Sequence, residues 1–163
     1  MRPAPTQKLD PKVKSVWRIS AAFWIAVTYI VCMVPFAIVG AIEDEASWAW
    51  IVVLSETALM IIAAIAFIGV IPAIRFIRWS FQLDPEFLDI EKGMIWRQRT
   101  IIPFIRVQNT DTHQGPIMRA FHLSEVTIST AAGEHRIPGV DESQAASLRD
   151  RAAEFARIAR EDV

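Results

Sequence analysis

The residues with the richest chemistry in this 163-residue chain are three histidines and one cysteine. A metal site needs ligands at short turn or helix spacings, such as His-x-x-x-His or Cys-x-x-Cys. His113, His122 and His135 show no such pairing, and Cys32 lies alone in a distant apolar run. With no second thiol, Cys32 forms no internal disulfide and reads as a small apolar residue. Asp111 and His113 stand two apart, on one face of an extended segment, and a solvated turn accounts for them. Ser124 and Ser129 lie on or beside a strand and lack the G-x-S-x-G turn of a nucleophile. The chain has no G-x-x-x-x-G-K-[ST] phosphate loop and no G-x-G-x-x-G. The reading is therefore non-enzymatic: no catalytic residue, cofactor, metal ligand or small-molecule substrate is expected.

Four charged residues stand out as interaction candidates. Arg97, Arg99 and Arg106 form a modest basic group on neighbouring strands. They suit a protein-facing strand edge or solvent, and lipid headgroups as a second choice. Glu56 sits inside an apolar run, where an ionisable side chain is costly and a functional candidate by default. Two turns from the outer end of its helix, it can reach the headgroup layer or pack against a neighbouring helix. A tuned ion or proton site is the sharper alternative, with no second intramembrane acid or base to complete a relay. The overall net charge is −1. From Trp79 onward ten basic residues face thirteen acidic ones, which argues against nucleic acid, since phosphate neutralisation dominates that binding, and against a broad anionic-lipid-binding face.

These residues need elements to carry them. Ser20 to Ile42 is 23 residues without a charge. At about 1.5 Å per residue it reaches about 35 Å, enough for a hydrocarbon core of about 30 Å. Pro35 in its last third predicts a kink, which lipid-embedded helices tolerate. A second run, Trp48 to Ile74, contains only Glu56 as a charge. The acidic turn Glu43-Asp44-Glu45 between them is short enough to force an antiparallel hairpin. Arg2, Lys8, Lys12, Lys14 and Arg18 precede the first span, and Arg75 and Arg78 follow the second. Basic residues stay on the cytoplasmic side, so both termini are expected there. Trp17, Trp24, Trp48, Trp50 and Trp79 fall near the expected interfaces. A cleaved signal peptide fits poorly, because its apolar core would be shorter and no second span would follow.

After Trp79 the pattern becomes short apolar segments between turn signals: Asp84-Pro85, Lys92-Gly93, Gln114-Gly115-Pro116, Ala132-Gly133 and Pro138-Gly139. Strands are expected over residues 79–83, 87–91, 94–102, 105–114, 125–130 and 135–137, with period-two alternation typical of a sheet with one buried face. Asp141 is the expected N-cap of a closing helix, with Gln144 suited to a capping box. Ala145, Leu148, Ala152, Phe155 and Ala159 form its apolar stripe. The fold class is therefore a transmembrane helical hairpin followed by an α+β domain. That domain is an antiparallel sheet or barrel of six or seven strands with a C-terminal helix. Residues 1–78 hold the N-terminal segment and the hairpin, and residues 79–163 the soluble domain.

Several strands and a closing helix is the order of pleckstrin-homology (PH) domains. The run Ile102-Pro103-Phe104-Ile105-Arg106-Val107-Gln108-Asn109-Thr110-Asp111 resembles a recurrent segment of the bacterial PH family. So do the turn Gln114-Gly115-Pro116-Ile117-Met118-Arg119 and the strand Val126-Thr127-Ile128-Ser129-Thr130-Ala131-Ala132-Gly133. Ile137-Pro138-Gly139-Val140, leading into a Glu/Ala-rich helix, matches as well. Two spans ahead of such a domain resemble the YdbS-like membrane proteins, and the likeness covers about residues 16–160. One departure is Ala120-Phe121-His122-Leu123, where the family often places a glycine. The loop Leu83-Asp84-Pro85-Glu86-Phe87, which in eukaryotic PH domains carries the basic residues for phosphoinositides, here carries acids.

The resemblance implies a non-enzymatic interaction or scaffold module at the bacterial cytoplasmic membrane, linked in some relatives to envelope stress or resistance to membrane-active peptides. Its expected partners are the lipid bilayer and another membrane protein, such as a larger relative with repeated PH domains, or a second copy of itself. The alternative is a small transport or channel subunit that oligomerises its hairpin around Glu56.

Overall fold

The computed structural model describes residues 4–43 and 47–161. The chain divides into two compact units: residues 17–73, and residues 74–163 together with residues 1–16.

The first unit is helical. Helix α1 runs Val13–Ile42 and contains Pro35. Helix α2, Ser47–Ala64, continues through a π-helical stretch, Ile65–Val70, into α3, Ile71–Ile77. The two continuous helical stretches, of 30 and 31 residues, are long and apolar enough to cross a membrane. Their large apolar side chains face outward: Trp24, Val31, Ile51 and Leu54 are all exposed. Water would penalise such a surface, and hydrocarbon does not. The hairpin is held where its side chains are small or polar. Gly40 lets the Trp50 ring approach, and Trp50 Nε1 donates to the Gly40 carbonyl at 3.1 Å. Phe36 and Trp48 stack edge to face, 6.3 Å apart. The expected acidic turn lies, for Asp44 and Glu45, outside the described residues.

The second unit carries two three-stranded antiparallel sheets, ordered β1-β2-β3 and β4-β5-β6. Strand β1 is Ser80–Leu83, β2 Phe87–Lys92 and β3 Gln98–Pro103. A single 3-10 turn, Phe104–Arg106, then shifts the chain to the other sheet. There β4 is Val107–His113, β5 Leu123–Thr130 and β6 Gly133–Asp141. A short helix α4, Pro116–Ala120, joins β4 to β5. Helix α5, Glu142–Glu161, closes the fold. Six strands and a C-terminal helix agree with the fold class read from the sequence.

The core follows the period-two pattern. Leu88, Ile90 and Ile102 from one sheet and Leu123, Val126, Ile128 and Ile137 from the other are buried, together with Ala145, Leu148, Ala152 and Ala156 of α5. Phe104 is fully buried, and its ring lies 5.4 Å from that of Phe155. The 3-10 turn thus pins α5 across the junction of the sheets. The Asp141 carboxylate accepts from the Ser143 backbone N–H at 3.1 Å and from the Ser143 hydroxyl. These bonds hold its pKa below the usual carboxylate value. The N-cap is therefore where the sequence put it, satisfied through Ser143.

Three expectations need correcting. The strand expected from Met94 starts only at Gln98, because Gly93 at φ +124° turns the chain into a loop. A Cβ at Gly93 would sit 1.8 Å from the Trp96 carbonyl oxygen. The pair Pro138-Gly139, which reads as a turn, lies inside the nine-residue β6. This is an edge strand, where a missing N–H is tolerated. The register with β5 shifts between Ser124 and Val126, and Gly139 takes φ +64° beside that irregularity. Finally, residues 1–16 cluster with the strands rather than with the hairpin.

The reason is packing. Gln7 pairs with Phe81 through two backbone bonds, Gln7 N–H to Phe81 O at 3.1 Å and Phe81 N–H to Gln7 O at 2.9 Å. Asp10 N–H donates to Gly139 O at 2.9 Å. Leu9, Val13 and Val16 are buried. Residues 7–10 therefore cover the outer edges of both β1 and β6. Within the stretch Ala120-Phe121-His122-Leu123, His122 takes φ +55°. It forms the left-handed cap that ends α4, and its carbonyl accepts from Glu142 N–H at 3.1 Å.

Candidate interaction surfaces

The three arginines do not converge. Arg97 precedes β3 and Arg106 follows it, so a six-residue strand, about 20 Å long at 3.3 Å per residue, lies between them. Arg99 turns back on its own sheet. Its Nε donates to both carboxylate oxygens of Asp89 at 3.1 and 3.0 Å, and its Nη2 completes the fork. Asp89 is 3% exposed. A nearly buried carboxylate needs such a partner, and the same contact raises the Arg99 pKa. Arg99 thus has a structural task, whereas Arg97 and Arg106 project at opposite ends of β3.

Glu56 is the tenth residue of α2, about two and a half turns from its start. Cys32 stands beside it across the hairpin. One residue on, Thr57 donates to the Val53 carbonyl at 2.7 Å and bonds Tyr29 Oη at 3.0 Å. Tyr29, Cys32, Glu56 and Thr57 therefore form one polar layer joining α1 to α2. Such bonds fix helix pairing in lipid. The sequence signal was available: Tyr29 and Cys32 are three apart, and Glu56 and Thr57 are adjacent.

The histidines are scattered. His122 caps α4 and His113 ends β4 opposite Glu125. His135 pairs with Ile128 in β6. Partial burial and nearby Lys92 lower its pKa. Asp111 accepts from Asn109 Nδ2 at 2.8 Å. Among the described residues, no three His, Cys, Asp or Glu side chains gather as a metal set would.

Two exposed apolar features escaped the sequence reading. The β2–β3 loop carries Ile95 and Trp96, each 85% exposed, where alternation had suggested a strand. On β3 and the following turn, Ile101 and Ile105 are exposed as well. The outer edge of β3 has no ladder partner among the described strands. Strand β4, the edge of the other sheet, lies against α5, where Gln108 and Asn109 share a groove with Ala153 and Ala156. With β1 and β6 covered by residues 7–10, β3 is the edge most open to a partner.

Comparison with known proteins matches residues 19–156 to the family model described as bacterial PH domain. The transmembrane protein YdbS of Bacillus subtilis (strain 168) is 31% identical over 163 residues, covering 100% of both chains. No solved structure matches the chain.

Proposed function

The chain belongs to the bacterial PH domain family, and from that premise we propose that it is a membrane-anchored, non-enzymatic interaction module. The helical hairpin holds the domain at the inner surface of the cytoplasmic membrane, both termini on the cytoplasmic side. This orientation rests on Lys8, Lys12, Lys14 and Arg18 before the first span and Arg78 after the second. The domain docks onto another membrane protein, a larger relative with repeated PH domains or a second copy of this chain. The observation that carries the reading is the open edge of β3, flanked by the exposed Ile101 and Ile105. An edge strand offers unpaired backbone groups for strand addition, and exposed side chains beside it give selectivity. The physiological setting, envelope stress or resistance to membrane-active peptides, rests on family resemblance. Mild solubilisation of native membranes and capture on a C-terminal tag should recover one partner in fixed stoichiometry. Recovery of a lone monomer would count against the module.

A second reading follows from the carboxyl of Glu56 inside an otherwise apolar helix. In it, several hairpins assemble around this carboxyl and pass an ion or proton. Glu56→Gln keeps the shape and removes the charge, so flux in vesicles should vanish in that variant. Equal flux in both proteins would eliminate the reading.

A further inference from the structure

The β2–β3 loop places three apolar residues at a protruding tip. Met94, Ile95 and Trp96 are 37%, 85% and 85% exposed. Gly93, at φ +124° and packed against the Trp96 carbonyl, makes the tight bend on which the tip is built. Lys92 stands at the end of β2, and Arg97 just precedes β3. The tip is therefore apolar and aromatic, with a cation on either side.

We propose that this loop inserts into the headgroup layer of the membrane that anchors the chain, and that Lys92 and Arg97 bind anionic lipid phosphates as Ile95 and Trp96 enter the acyl boundary. Three observations favour a bilayer over a protein. A convex tip of three residues offers a few hundred Å² at most, well short of the 1,200 Å² or more of a stable protein interface. Tryptophan partitions to the membrane–water interface, where its ring is buried and its N–H stays wet. Flanking cations complement an anionic leaflet, and each charge near the surface multiplies binding about fivefold. The hairpin also keeps a bilayer within reach at all times, so a weak contact suffices. The loop lies at the end of β3 that carries Arg97 and is independent of any docking at the strand edge.

The test uses the full chain in vesicles of phosphatidylethanolamine and phosphatidylglycerol. Cys32→Ser removes the native thiol, and a spin label is attached through Ile95→Cys, which preserves Trp96. A label through Ala132→Cys, on the exposed β5–β6 turn, serves as the aqueous reference. Accessibility to oxygen and to a water-soluble nickel chelate then gives depth. The label at position 95 should be oxygen-accessible, nickel-shielded and about 5–10 Å below the headgroups, as for interfacial segments. Adding Lys92→Gln and Arg97→Gln, or omitting phosphatidylglycerol, should raise nickel access several-fold. Nickel access equal to that at position 132 would overturn the proposal. So would shielding from both reagents that grows with protein density, because that pattern marks a protein contact.

Discussion

Replacing Gly139 with alanine tests how the N-terminal segment is built into the domain. Gly139 is left-handed, at φ +64°, which costs an L-residue about 1–2 kcal/mol. An added Cβ would also lie 2.2 Å from Val13 Cγ2 and 2.4 Å from Val13 Cβ. Overpacking of that kind costs about 1–3 kcal/mol. Gly139→Ala should therefore lose about 2–5 kcal/mol, a urea midpoint shift of about 1–2.5 M at an m-value of about 2 kcal/mol/M. The rescue pattern is more telling than the loss. Val13→Ala should not relieve the clash, because the Val13 Cβ is itself too close. Val13→Gly should relieve the steric part and leave only the left-handed cost, giving a coupling of about 1–3 kcal/mol in the double variant. The assay is pulse proteolysis in urea on the full chain in micelles, reading the folded fraction of residues 74–163. Additivity of Gly139→Ala with Val13→Gly to within about 0.5 kcal/mol would refute the packing of α1's first turn on β6.

The remaining predictions concern charge. Arg99→Ala strands the buried Asp89 carboxylate and should destabilise the domain more than the double variant Arg99→Met with Asp89→Asn, which removes both charges; denaturation midpoints would rank them. The depressed His135 pKa has a definite sign. Above about pH 6.5 the imidazole is neutral folded and unfolded, and no stability is lost. As pH falls below that value the unfolded chain binds the proton first, so stability drops through the window down to the lowered folded pKa. His135→Gln should flatten that acid-side slope in midpoints measured across pH 5 to 7, and an unchanged slope would contradict the assignment.

The hairpin was legible because hydrophobic length is a one-dimensional signal: two long, nearly charge-free runs joined by a short acidic turn read as spans before any packing is known. Strands β1 and β2 were legible to within a residue because Asp84-Pro85 and Lys92-Gly93 punctuate them. The failures are places where tertiary context outranks local chemistry. Pro138-Gly139 is a turn pair by type, yet an edge position and an irregular register make it strand. Met94 to Arg97 alternates like a strand, but the conformation of Gly93 diverts it. Leu9, Val13 and Val16 carry an apolar pattern, but the nearby basic residues read as topology signals and hid it. The polar layer around Glu56 needed two helices brought together, since neither span shows it alone. The arginines were grouped by their alternation and by adjacency of strands. The length of β3 separates Arg97 from Arg106, and Arg99 is held by Asp89.

The central claim, that the anchored domain docks a protein through its open strand edge, is tested most directly by site-specific crosslinking in native membranes. A photoreactive residue at Ile101, on the exposed side of β3, is compared with one at Asp150, on the exposed side of α5. Docking at the edge gives a single discrete adduct from position 101, absent from position 150 and lost when a charge such as Thr100→Asp interrupts the edge. Equal, diffuse labelling from both positions, or no adduct from position 101, would contradict it.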